Sequence, residues 1–163
     1  MGLAFKKGEY VVYPAHGVGE IVDTEEHAIS GICISVYVIH FSKTNMTIRL
    51  PVVKADSAGL RPLVSHEKLA DILEELSKPI KVEKTLWKKK SAEYEKKLNS
   101  GDLFSIANVL RALHQENFTS MSYTKKELYQ AALMRLSEEI SVVKNLEIET
   151  AEAVVKNKLN KLN

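Results

Sequence analysis

From Glu9 to Leu50 the apolar positions fall in short β-branched and aromatic runs cut by glycine, proline and polar turns. From Ser65 onward they recur at three- and four-residue spacing. The first pattern predicts strands. Glu9-Tyr10-Val11-Val12-Tyr13 is stopped by Pro14, and Gly19-Glu20-Ile21-Val22 follows a glycine-bracketed turn at Gly17-Val18-Gly19. Ile32 to Phe41 is the longest β-rich run, and Met46-Thr47-Ile48-Arg49-Leu50 precedes Pro51, with Ser42-Lys43-Thr44-Asn45 as the polar link between them. Four or five short antiparallel strands within about 50 residues predict a strongly bent sheet or an SH3-like barrel.

The second pattern predicts helices. Ser65 caps a helix with Leu69, Ile72, Leu73 and Leu76 on one face, ended by Pro79. Trp87, Tyr94 and Leu98 share a face of a second helix, which stops near Asn99-Ser100-Gly101 and has Thr85 as its candidate cap. Asp102 caps a third, carrying Leu103, Ile106, Leu110 and Leu113. Thr124 and Glu127 form a capping box for a fourth, with Leu128, Ala132, Leu136, Ile140 and Val143 inward. A fifth runs from about Thr150 with Val154, Val155 and Leu159, and the last residues from Lys156 are expected to fray. Short connections favour a compact bundle of about five helices. The fold class is therefore α+β in two domains, a small β-barrel over 1–60 and an all-α bundle over 61–163, with the boundary near Ser57–Ser65.

Glycine usage marks the same boundary, since only Gly101 of the seven glycines follows residue 60. A chain of 163 residues suits one domain or two small ones and needs no staple to hold its core. No apolar run approaches the ~20 residues that span a bilayer, and the N-terminus lacks the pattern of a secretory leader. The single cysteine, Cys33, sits in an apolar stretch and is read as a small buried hydrophobe. These features predict a cytoplasmic protein.

Enzymatic readings find no support. There is no GxSxG, no GxxxxGK[ST] and no GxGxxG opening a helix. His16, His27, His40, His66 and His114 are scattered, with no HExxH and no partner cysteines, so neither a zinc site nor a cofactor is expected. Glu74-Glu75 and Glu138-Glu139 are read as solvated helix faces. The chain reads as a binding protein.

Charge is distributed unevenly. Residues 1–60 hold 5 basic and 6 acidic groups, and residues 61–163 hold 18 and 15. Within the second part, residues 78–97 hold 8 lysines against 3 glutamates, a local +5 where a polyanion would be met. That stretch places the only tryptophan, Trp87, directly before Lys88, Lys89 and Lys90, with Lys84 just upstream. A helix start leaves backbone N–H groups unpaired and favours an anion. Lysines there would bind phosphates, and the indole would stack on a base or wedge into a distorted minor groove. Equally, Trp87 shares a face with Tyr94 and Leu98, so spacing alone also admits a core residue beside solvated lysines.

The run from Phe5 to Ile21, FKKGEYVVYPAHGVGEI, resembles the opening signature of the CarD family of bacterial transcription regulators. Ile29-Ser30-Gly31, Tyr37-Val38-Ile39, Met46-Thr47-Ile48-Arg49-Leu50-Pro51 and Ala58-Gly59-Leu60-Arg61 continue the likeness. It extends through Trp87 and its lysines to Leu98-Asn99-Ser100-Gly101-Asp102. A similar N-terminal module occurs in transcription–repair coupling factors, but those are large helicases, and this chain has no nucleotide-binding loop.

The resemblance implies a Tudor-like N-terminal domain that docks on the β subunit of bacterial RNA polymerase. It implies a helical domain that meets promoter DNA in the minor groove at the upstream edge of the melted bubble, with little sequence specificity. The effect would be to stabilise the open promoter complex, without a cofactor or a membrane, as a monomer. On this reading Arg49, His27, Ile48 and Leu50 bind polymerase, while Trp87 with Lys84, Lys88, Lys89 and Lys90 binds DNA. Some family members carry an arginine at the position of His27, which leaves Arg49 as the only arginine before residue 61. The alternative function is a polymerase-independent architectural nucleic-acid-binding protein. A structural adaptor with no role for Trp87 is a third reading.

Overall fold

Five antiparallel strands are followed by five helices in a computed structural model that describes residues 4–14, 16–81, 86–115 and 122–162. The chain divides into two units, Met1–Leu63 and Val64–Asn163. In the first, β1 (Tyr10–Tyr13), β2 (Gly17–Ile29), β3 (Ile32–Phe41), β4 (Met46–Pro51) and β5 (Arg61–Pro62) form an open sheet in the order β4-β3-β2-β1-β5. Period-two alternation sends Ile21, Tyr37, Ile39, Phe41 and Leu50 to one face, where Phe5 and Leu60 complete the core. Gly19 is obligatory there. A Cβ on it would stand 2.7 Å from Ile39 Cγ2 and 2.8 Å from Phe41 Cε1.

β2 is much longer than its apolar segment predicts. A register shift between Ile21 and Asp23 marks a bulge, and beyond it Asp23–Ile29 pairs with β3 up to Ile32 as a ribbon. Ser30 and Gly31 close that ribbon with φ of 51° and 78°, the doubly positive geometry that a tight hairpin turn needs. The ribbon tip is exposed: Ile29 and Ile32 are 57% and 66% exposed. Cys33 lies on this ribbon and is exposed, which corrects its reading as a buried hydrophobe. Its thiol donates to Glu26 Oε2 at 3.1 Å, and that carboxylate raises the thiol pKa.

In the second unit, α1 (His66–Leu76) is capped by Ser65, whose hydroxyl accepts from Lys68 N at 3.1 Å. α2 spans Trp87–Asn99, and α3 spans Leu103–His114 with the Asp102 carboxylate accepting from Ser105 N at 3.1 Å. α4 (Tyr123–Lys144) and α5 (Ile148–Leu159) follow, and α5 passes into a short 3-10 turn over Asn160–Leu162. The cap of α4 is Ser122, not Thr124. Ser122 accepts from Lys125 N at 3.3 Å, and Glu127 takes the Tyr123 hydroxyl instead of reaching back to the cap. Thr85 lies outside the described residues, and Leu86 occupies the N-cap position of α2 without a side-chain cap.

Leu69, Ile72, Leu76, Leu110, Leu113, Leu136, Ile140 and Leu159 are fully buried at the centre of the bundle. Two of the polar side chains inside it are tied to backbone. Glu139 is only 2% exposed, which corrects its reading as a solvated carboxylate, and it accepts from Val64 N at 2.7 Å. The chain after α1 is held against α3: Arg111 Nη1 donates to Lys78 O at 2.9 Å. The Gln115 side-chain amide exchanges two hydrogen bonds with the Ile80 backbone, of 2.7 and 2.9 Å.

His114 Nδ1 meets the Tyr129 hydroxyl at 2.8 Å, the two rings stacked. Burial pushes its pKa below the ordinary 6.5. The unfolded chain therefore takes up the proton first, so this group makes stability fall as pH drops below 6.5. The loss levels off once the folded form is also protonated. Thermal unfolding followed through the helical signal at pH 5 and pH 7.5 should show a smaller difference for His114→Phe than for the parent. An equal difference would remove His114 from the pH response.

Candidate functional site

Two surfaces carry the residues singled out above, one on each unit. On the strand unit, β4 pairs with β3 through Val38↔Arg49, Tyr37↔Leu50 and Ile39↔Ile48. Residues opposite one another share a face. Leu50 and Ile48 therefore point to the face of Tyr37 and Ile39, while Arg49 and Thr47 point outward. Leu50 is core, and Ile48 packs partly buried against it. Leu50 thus has no side chain to offer a partner, a correction that follows from alternation along a strand with one buried face.

Arg49 reaches across β3 to β2, its Nε 3.2 Å from Glu25 Oε1. His27 Nε2 lies 2.9 Å from the same oxygen. The His27 hydrogen bond, and then that of Arg49, hold the Glu25 carboxyl below its usual range. Arg49 and His27 are thus brought together on one exposed face, bridged by an acid that the spacing along the chain did not reveal. Exposed pairs of this kind contribute little to stability, so a competing carboxylate can displace Glu25 at little cost. β4 is also an edge strand of the sheet. The backbone edge of such a strand is the element that main-chain recognition by an added strand uses.

On the helical unit, Trp87 is the first residue of α2 and is half-buried. Its ring meets that of Tyr94 edge-on at 6.2 Å, about two turns further along the helix, where Tyr94 and Leu98 are buried. Lys125 of α4 stands over the indole, Nζ 4.9 Å from the ring centroid. This lysine was missed in the sequence because 38 residues and a whole helix separate it from Trp87; no local pattern could have joined them. Successive helical residues turn by about 100°, so Lys88, Lys89 and Lys90 fan around the helix start. Lys88 and Lys89 are exposed and Lys90 half-exposed. Lys84 lies outside the described residues. The helix start thus combines an indole anchored at one end, an exposed leucine before it and lysines on several sides.

Among the described residues, no group of three or more His, Cys, Asp or Glu is placed to hold a metal ion. No described helix is long and apolar enough to cross a membrane.

A small antiparallel sheet followed by a helical bundle, with lysines collecting at one helix start, makes up a two-part protein. Residues 5–64 match the CarD-like/TRCF RID domain and residues 71–156 match the CarD C-terminal domain. The chain belongs to the CarD family, and so to the transcription regulators rather than to an enzyme family. It is 27% identical to YdeB of Bacillus subtilis (strain 168), which carries the name of a transcription factor, over 143 residues, 87% of this chain and 94% of that one. A solved structure titled "CdnLNt from Myxoccoccus xanthus" is 38% identical and covers 40% of this chain and 93% of that one, with a TM-score of 0.34.

Proposed function

We propose that the strand unit docks on the β subunit of bacterial RNA polymerase and that the helical unit stabilises the open promoter complex. The contact is made in the minor groove at the upstream edge of the bubble. The observation that carries this reading is Trp87, fixed on its inner side by Tyr94, half-exposed at the start of α2 and surrounded by lysines. A ligand shifts an equilibrium only by its differential affinity for the two states. A side chain that fits unstacked DNA but not intact duplex supplies that difference, while lysines on phosphate supply affinity without sequence preference. Docking on polymerase raises the local concentration of the helical unit at the promoter, so weak intrinsic DNA affinity suffices.

Family membership and the outward face bearing Arg49 and His27 support the docking half. With Leu50 in the core, that face and the backbone edge of β4 are the groups available. Arg49→Glu tests it. Facing an acidic partner, the reversed charge should weaken binding to purified polymerase by about tenfold or more. The melting temperature should hardly move, because Arg49 is exposed and its ion pair contributes little. Undiminished binding would take Arg49 out of the site. Equal affinity of the parent for free duplex and for promoter in the polymerase complex would favour the architectural DNA-binding reading instead.

A further inference from the structure

The stretch that leaves α1 is held to one face of α3. Arg111 in the last turn of that helix and Gln115 at its C-cap stand four residues apart, and so on the same side. Arg111 is buried and donates from Nη1 to Lys78 O at 2.9 Å. The Gln115 amide accepts from Ile80 N at 2.7 Å and donates from Nε2 to Ile80 O at 2.9 Å. An amide carries an acceptor and a donor as a peptide group does, so it completes both bonds where a carboxylate or a thioether could not. Ile80 and Trp87 pack against the same helical core. Ile80 is followed by the chain to α2, and Gln115 by the chain to α4. Those two helices meet at their starts, where Lys125 Nζ stands 4.9 Å from the centroid of the Trp87 ring. The Gln115–Ile80 pair and the Trp87–Lys125 contact thus tie the same two connections, one at their beginning and one at their end. A short connection tied at its start leaves its far end few positions to explore.

We propose that Gln115 is a positioning residue for the DNA contact: by pairing with Ile80 it holds the start of α2 so that the Trp87 indole is presented in one orientation. The inference rests on the reading of Trp87 as the side chain that enters opened DNA. Tyr94 and Lys125 bear on the ring itself, whereas Gln115 bears on the backbone that leads to it. A side chain ordered before it binds has less freedom to lose on binding, and losing that order lowers affinity about two- to tenfold for one side chain. The preference for opened over paired DNA falls by the same factor, because lysine contacts to phosphate need no fixed indole. Gln115 touches no DNA in this role.

The test uses the full chain and two synthetic DNAs of one sequence, a fully paired duplex and the same duplex with a mismatched bubble. It also uses the fluorescence of Trp87, the only tryptophan. Gln115→Met keeps the length of the side chain and loses both bonds. Well below its melting temperature, this variant should show Trp87 emission shifted to the red and more readily quenched by acrylamide. Its bubble-to-duplex affinity ratio should lie about two- to tenfold below that of the parent. Gln115→Glu, whose carboxylate still accepts from Ile80 N but donates nothing to Ile80 O, should fall between the two. It carries the test if Gln115→Met does not fold, and taking the ratio removes the general effect of its added charge. A lowered melting temperature with parent-like emission, quenching and ratio would overturn the inference, since Gln115 would then serve stability alone. Changed emission with an unchanged ratio would overturn it too. In both cases a ratio lost in Trp87→Ala leaves the DNA reading standing. A parent protein with no preference for the bubble would overturn that reading, and the inference with it.

Discussion

Trp87→Ala is expected to shorten the lifetime of open promoter complexes sharply while leaving a folded protein. A base stacked on an aromatic side chain contributes ~1–3 kcal/mol, so losing the indole should cost roughly 5–150-fold in the open-complex equilibrium. The spacing of Trp87, Tyr94 and Leu98 admitted two extremes, an exposed wedge with a normal melting temperature or a core residue with a collapsed one. The structure sets the residue between them. Fully burying a large aromatic and then deleting it costs ~3–5 kcal/mol, and a half-buried indole held by one edge-on ring and one cation–π contact should cost about 1–2 kcal/mol. Lifetimes should therefore be measured well below the melting temperature of the variant, with the helical signal checked first. An intact helical unit that prolongs open complexes as the parent does would end the wedge reading. A helical unit lost altogether would assign Trp87 to the core.

Leu110→Ala should have the largest effect on stability. Leu110 is fully buried at the centre of the bundle, and removing a leucine side chain from such a site costs ~2–5 kcal/mol through lost transfer energy and the cavity left behind. For a unit of this size each kcal/mol lowers the melting temperature by about 4–8 °C. The strand unit has its own core around Ile21, Ile39 and Phe41, to which Leu110 does not belong. Helical signal should therefore melt early in Leu110→Ala, while binding through the strand unit survives at temperatures where the helices are lost. Simultaneous loss of both at the lowered temperature would show that the two units unfold as one.

Elements whose residues carry their own reason for forming were legible in the sequence. The leucines of α1 and α3 fall at helical spacing because one face must be buried, and Ser65 and Asp102 cap because each precedes such a face with a free side-chain oxygen. The outer half of β2 was not legible. Its residues are exposed or half-exposed and are held by the ladder to β3, so no alternation betrays the strand, and Cys33 is exposed with it. The cap of α4 was misplaced by two residues because Ser122 and Thr124 offer the same hydroxyl, and only the direction of the backbone decides which one is used.

The amino-acid sequence by itself determined the class: a strand-forming half and a helix-forming half, a cluster of lysines around one tryptophan, and the likeness to CarD proteins. These are local properties, set by residue type and by spacing within a turn or a strand. Tertiary structure alone decided where the candidate residues lie and what they meet. Glu25 bridges His27 and Arg49 from another strand, and Lys125 covers Trp87 from another helix. Leu50 turns into the core, Glu139 is buried to hold the Val64 backbone, and Leu86 is left in water. Each of these depends on residues far apart in the chain meeting, or failing to meet, once two apolar faces have closed, and no local pattern encodes where a distant side chain will arrive.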